Sequence, residues 1–125
     1  SIQNKQYWST LTLRYETDKI AHYGGVIDVP LVQTHPDNHD TILRFAEPVP
    51  DTMLNPVKVS VKNLNKNDLQ QLIIDLTKKC YDKIYCLEHR WNENDILLVD
   101  NFSLIHARRA FKKFSPRHLR RIQIL

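Results

Sequence analysis

Glycine is almost absent, with two in 125 residues, so tight glycine turns are scarce and strands have to be joined by longer loop insertions. Cysteine is equally sparse. Cys80 and Cys86 form no CxxC motif and have no second pair to complete a zinc site, which leaves two reduced, partly buried thiols of the kind a cytoplasmic protein carries. No apolar run approaches the roughly 18 residues of a membrane span. A charged N-terminal region leading into an apolar stretch is also missing, which gives no sign of a secretory leader. The chain opens at Ser1 and not at Met, so an earlier start is compatible with that reading. Neither internal repeats nor low-complexity segments occur. The length is that of one domain or part of one.

What is present in excess is local positive charge. Arg108, Arg109, Lys112, Lys113, Arg117, Arg120 and Arg121 contribute seven cations with no acid among them. The other 11 of the 18 Lys and Arg face 14 Asp and Glu, so the rest of the chain sums to −3 although the whole carries +4. A local positive patch calls for a local anion: a carboxylate, a phosphate or a nucleic-acid backbone.

Hydrophobic patterning predicts mainly short strands. "VIDVPLVQTHP" from Val26 reads as an edge strand punctuated by Pro30 and Pro36, "HPDNHD" as its turn, and "TILRFAEPVP" as a second strand closed by Pro48 and Pro50. "VKVSVKN" alternates like a half-exposed strand. Leu69, Leu72, Ile73, Leu76 and Cys80 recur at helical spacing, with Asn67 or Asn65 as the cap. "KIYCLEHRW" alternates again, "NEND" is a turn and "ILLVD" a short apolar strand. Tyr81, Tyr85 and Trp91 are assigned to the core around the helix. In the last strand, "HLRRIQIL", Arg117, Leu119, Arg121 and Gln123 share one face. Trp8, Leu11, Leu13 and Tyr15 alternate like a further strand within residues 1–25, a segment to which no role is assigned. This pattern, with one or two helices, suggests a β-sandwich or open barrel.

His106 stands just past an apolar strand, and Arg117 follows eleven positions later. An imidazole is a frequent transition-metal ligand, and a guanidinium holds a carboxylate bidentately. Arg121, roughly 13 Å beyond Arg117 along a strand, serves a different group or a different depth of one site.

At these residues the sequence resembles a known family. "WNENDILLVDNFSLIHARRAF" followed by "SPRHLRRIQI" looks like the C-terminal core of the Fe(II)- and 2-oxoglutarate-dependent dioxygenases of the taurine dioxygenase (TauD/TfdA) type. "VPLVQTHPDNHDTILRF" resembles the stretch that precedes that core. "TILRFAEPVP" is similar, more narrowly, to the PvcB-like branch, which acts on amino-acid-derived isonitriles.

The resemblance implies that residues 26–125 are the C-terminal portion of a double-stranded β-helix, a jelly-roll or cupin-like fold, with helices packed outside. By it His106 is the distal histidine of a 2-His-1-carboxylate triad and Arg117 binds the remote carboxylate of 2-oxoglutarate. Arg121 then shapes the cosubstrate or substrate-acid pocket, while Asp100 and Asn101 fix the strand end that presents His106. The implied reaction uses dioxygen to oxidise a small, carboxylate-bearing metabolite as 2-oxoglutarate is decarboxylated.

One element of the family pattern is missing. Its first ligands, a His-x-Asp or His-x-Glu pair, have no counterpart before Thr34. The only literal match, His35-Pro36-Asp37, falls at the family's turn, where Pro36 restricts His35; it reads as a solvent-exposed turn with Asp37 as its capping acid. The chain is therefore expected to be part of a longer enzyme, inactive alone, whose upstream half is its first partner. Exposed strand edges would also pair with something, a second copy included.

Two other functional classes stand beside this one. "HARRAFKKFSPRHLRR" interleaves Phe111 and Phe114 with cations as single-strand nucleic-acid binders do, although the net-acidic remainder weighs against it. An inert cupin-like interaction scaffold is the other. The sequon Asn101-Phe102-Ser103 is read as fortuitous.

Overall fold

The structure is a computed structural model that describes residues 2–18, 25–109 and 120. Arg117, Arg121, His118, Phe111, Phe114, Lys112, Lys113 and the expected last strand lie outside the described residues, as does His22. Among the described residues seven elements follow in order: α1 (Ile2–Ser9), β1 (Thr12–Thr17), β2 (Gly25–Pro30), β3 (Val32–Thr34), β4 (Thr41–Leu43), β5 (Lys58–Val61) and α2 (Lys66–Cys80). They make one antiparallel sheet ordered β2-β1-β5 and a second, two-stranded sheet β3-β4. The expected mix of strands with helices is present, and no closed barrel forms among the described residues.

The alternation read from Trp8 to Tyr15 is only partly a strand. Trp8 lies in α1, which closes through Thr10 N–H on Tyr7 O and Leu11 N–H on Trp8 O. The strand then begins at Thr12, and β1 pairs on both edges, with Val29 and Val61 flanking Leu13. Leu13 is fully buried because its face of the strand packs into the core with Leu31, Val61, Leu72 and Leu76, whereas Arg14 on the other face is half exposed. The segment without an assigned role thus supplies the middle of the sheet.

The edge strand expected from Val26 breaks in two at Leu31. Its N–H donates to Leu11 O at 2.9 Å and its carbonyl accepts from Arg44 N–H at 2.8 Å, so one buried residue hands the chain from the first sheet to the second. Pro30 ends β2 on the sheet's edge, where its missing N–H leaves no ladder bond unmade. β4 stops at Leu43, and the proline-rich stretch beyond it keeps one bridge, Val49 with Val57.

Helix α2 follows its apolar spacing. Leu72 and Leu76 are buried, and Leu69, Ile73 and Cys80 pack on the same core with Leu11, Leu31, Phe45 and Val61. Asn65, not Asn67, is the cap: its Oδ1 accepts from Asn67 N–H and Asp68 N–H, both at 2.9 Å. Asp68 in the first turn and Lys78 and Lys79 in the last suit the helix dipole.

Beyond α2, neither of the strands expected at 83–91 and 96–100 forms. Residues 83–85 are a turn, 86–92 have no regular structure, and 96–100 lack a ladder. Ile84, Leu87, Ile96 and Leu98 are each more than 80% exposed. Alternation provides two faces, but a strand also needs a neighbour to bond to, and none of the described segments lies alongside. The "NEND" turn does form, closed by Asn92 N–H on Asp95 Oδ2 at 2.9 Å with Asn94 at a φ of 68°.

Tyr81, Tyr85 and Trp91, expected in the core, are exposed instead. They lie where the chain leaves the helix, so each finds a polar or edge contact. Tyr81 Oη donates to Glu47 at 2.9 Å, Lys79 sits over the Tyr85 ring, and Trp91 meets the His89 ring edge-on. His89 Nε2 is 3.2 Å from Asp95 Oδ2.

Candidate functional site

The turn at 100–103 is where the second sheet and the C-terminal stretch meet. Asp100 Oδ1 accepts from Phe102 N–H at 2.8 Å, the Ser103 hydroxyl donates to Asp100 Oδ2, and Leu104 N–H closes on Asp100 O at 3.1 Å. These donors, the Ser103 hydroxyl first, then Phe102 N–H and His35, hold the Asp100 carboxyl at about 2 against an ordinary 3.8. The resemblance gave Asp100 and Asn101 the part of fixing a strand end; no strand forms at 96–100, and Asp100 closes a turn instead.

Two side chains of the β3–β4 hairpin reach this turn. His35 Nε2 lies 3.0 Å from Asp100 Oδ2. Its other nitrogen, Nδ1, accepts from Asp37 N–H at 3.1 Å and Asn38 N–H at 3.4 Å. An amide N–H can only donate, so Nδ1 is the bare nitrogen and Nε2–H donates to the carboxylate. Arg44 Nη1 donates to Phe102 O at 2.9 Å, and its guanidinium lies 4.6 Å from the centre of the Phe102 ring.

The expected exposed turn is corrected here: His35 is 6% exposed. It is His35, not Asp37, that caps the loop, and Asn38 Oδ1 takes the Asp40 N–H at 3.0 Å. With both ring nitrogens engaged, His35 has no lone pair free for a metal, so the literal His-x-Asp match is structural. Nothing in the sequence marked His35 for this contact, because Asp100 lies 65 positions away.

His106 follows the turn in an exposed stretch without regular structure. Arg108 and Arg109 are exposed beside it, and Arg109 pairs with Glu88 at 3.2 Å. Among the described residues no three His, Cys, Asp or Glu side chains come together to hold a metal. The described residues thus make no complete metal site around His106.

Residues 4–123 match the family described as taurine catabolism dioxygenase TauD, TfdA family, and the chain belongs to that family. It is 41% identical, over its whole length, to a 3-((Z)-2-isocyanoethenyl)-1H-indole synthase of Fischerella ambigua, of which it covers 46%. It is 33% identical to a tyrosine isonitrile desaturase of Erwinia amylovora and 32% identical to one of Pseudomonas aeruginosa, covering 42% of each. The narrower likeness to the PvcB-like branch thus has relatives named for isonitrile chemistry. The chain spans less than half the length of these curated relatives.

Proposed function

We propose that the protein containing this chain is an Fe(II)- and 2-oxoglutarate-dependent oxygenase that uses dioxygen to oxidise a small isonitrile derived from an aromatic amino acid. Desaturation is the favoured outcome, since the relatives are named for a desaturase activity or for an ethenyl product. The observation that carries the reading is the family match across nearly the whole chain. In it, His106 is one metal ligand, Arg117 binds the remote carboxylate of 2-oxoglutarate, and Arg121 shapes the acid pocket beside it. A guanidinium suits that role because its planar fork meets both oxygens of a carboxylate. When bound, the metal and keto acid supply the oxidising chemistry, and this chain's residues bind and orient them.

The two remaining ligands are assigned to the upstream half of the same double-stranded β-helix, the partner we propose alongside the small-molecule substrate. The exposure of Ile84, Leu87, Ile96 and Leu98 supports this, because large apolar side chains left in water ordinarily gain a cover in the complete fold. No described helix is long and apolar enough to cross a membrane, and we place the enzyme in the cytoplasm, where Cys80 and Cys86 stay reduced.

Anaerobic calorimetry with 2-oxoglutarate, with and without Fe(II), tests the reading on the 125-residue chain and on a protein extended upstream. The extended protein is expected to bind the keto acid only with the metal, and Arg117→Ala or His106→Ala to lose it. Undiminished binding in both variants would sink the assignment. Binding by the short chain alone would mean that it completes its own metal site.

A further inference from the structure

We propose that His35 and Arg44 are positioning residues: from the β3–β4 hairpin they clamp the turn at 100–103 and thereby set where His106 stands. The second half of this statement rests on His106 being a metal ligand, whereas the clamp itself rests on geometry alone.

A buried imidazole costs free energy unless its polar atoms are partnered. His35 is buried and has both nitrogens used, one on its own loop and one on Asp100. It therefore joins two segments far apart in the chain, with no rotamer freedom left over. Phe102 is gripped from two sides: its ring meets the His35 ring edge-on at 5.2 Å, and Arg44 covers its face while bonding its carbonyl. Arg44 is itself tied to the core, since its backbone N–H bonds the carbonyl of fully buried Leu31. The path from core to turn thus runs through two side chains.

This is what the C-terminal stretch has in place of a ladder. Residues 96–100 and 104–109 have no strand partner among the described residues, so sheet pairing does not fix their position. Asp100 does two jobs at once: it closes the turn from within through Phe102 N–H and Ser103, and it receives the tie from His35. Leu104 N–H is the last member of this network, and only Ile105 separates it from His106. So short a lead leaves little slack, and a reacting group displaced by about 1 Å can cost about 100-fold in rate.

The test is nuclear magnetic resonance: imidazole tautomers and amide hydrogen exchange are read on the ¹⁵N-labelled 125-residue chain, and the broadening of His106 signals by Co(II) on the protein extended upstream, which carries the other two proposed ligands. The wild type is expected to show His35 as the Nε2–H tautomer, protected Phe102 and Leu104 amides, and a His106 that responds to Co(II). His35→Leu fills the buried space without either nitrogen. It should speed exchange at Phe102 and Leu104 about tenfold, as loss of one good hydrogen bond predicts, while Leu72 and Leu76 in α2 stay within about twofold. It should also weaken the Co(II) response at His106. His35→Gln, which can still donate toward Asp100, should recover part of both readouts, which a purely space-filling role for His35 would not produce. Asp100→Asn, at a half-exposed position with little folding burden, should reproduce the loss from the other side.

Unchanged exchange at Phe102 and Leu104 in both His35→Leu and Asp100→Asn overturns the clamp. Faster exchange with an unaltered Co(II) response at His106 overturns the step from turn to imidazole. If Co(II) leaves His106 untouched in the wild type while exchange changes as expected, the clamp holds and the ligand reading of His106 falls.

Discussion

Residues up to Cys80 and the residues after it solve the same problem differently. In the first region Leu13 and Leu76 are fully buried in one cluster with Leu11, Leu31, Phe45, Val61 and Leu72. In the second region residues of the same chemistry, Ile84, Leu87, Ile96 and Leu98, stand in water and no ladder joins them to the described fold. The second region is held to the first at a few polar and aromatic points, chiefly His35 and Arg44 on the 100–103 turn. A strand in this architecture is thus a property of two segments, whereas a cap or a helix stripe belongs to one.

The largest effect that can break this comparison is core truncation. Leu13→Ala or Leu76→Ala should cost about 2–5 kcal/mol by denaturant unfolding, through lost transfer energy and the cavity left behind. Ile96→Ala or Leu98→Ala in the same chain should stay within about 0.5 kcal/mol, since an exposed side chain has little burial to lose. Equal costs in the two regions would mean that the second region is packed after all. In a protein extended upstream, Leu98→Ala should move toward the core value, and failure to do so would remove the argument for a covering half.

Next in size is the helix cap. Asn65→Ala should cost about 1 kcal/mol, because two first-turn N–H groups lose their acceptor, and Asn65→Ser should restore most of it. Asn67→Ala should be near neutral by the same unfolding measurement, since its side chain does not cap.

The smallest effect concerns pH. The folded Asp100 carboxyl titrates at about 2 instead of 3.8. A depressed carboxylate contributes stability that is present above the unfolded value and lost as pH falls through the folded one. The contribution should therefore fade between about pH 4 and pH 2, and Asp100→Asn should flatten that part of the acid-unfolding curve. Its half-exposed side chain keeps the effect small through solvent screening. An identical acid limb in wild type and variant would show that the His35 and Ser103 contacts do not persist in solution.

Local features were legible in advance where the deciding interaction is local. The α2 stripe, a cap at Asn65 or Asn67, the β5 alternation and the "NEND" turn each depend on groups within a few residues of one another. The family resemblance was legible for a different reason: its motifs, "WNENDILLVDNFSLIHARRAF" followed by "SPRHLRRIQI", are runs of neighbouring residues in a set order along the chain. Trp8 was misread because a residue at a helix end and one at a strand start can both present an apolar face two or three positions before Leu11. The break at Leu31 was hidden because it depends on Leu11 O and Arg44 N–H, which no pattern within the strand encodes. Aromatic character alone placed Tyr81, Tyr85 and Trp91 in a core that ends before they begin.

The sequence by itself determined the helix, the short alternating segments, the concentration of cations near the C-terminus and the family. All of these are recorded in neighbouring residues or fixed spacings. Only the tertiary structure decided that β1 is the centre of a sheet, that His35 is a buried tie and not an exposed turn residue, and that the alternation after α2 finds no strand partner among the described residues. Each of those depends on which distant segment lies alongside, and hydrogen bonding across 65 positions leaves no periodic trace in the chain.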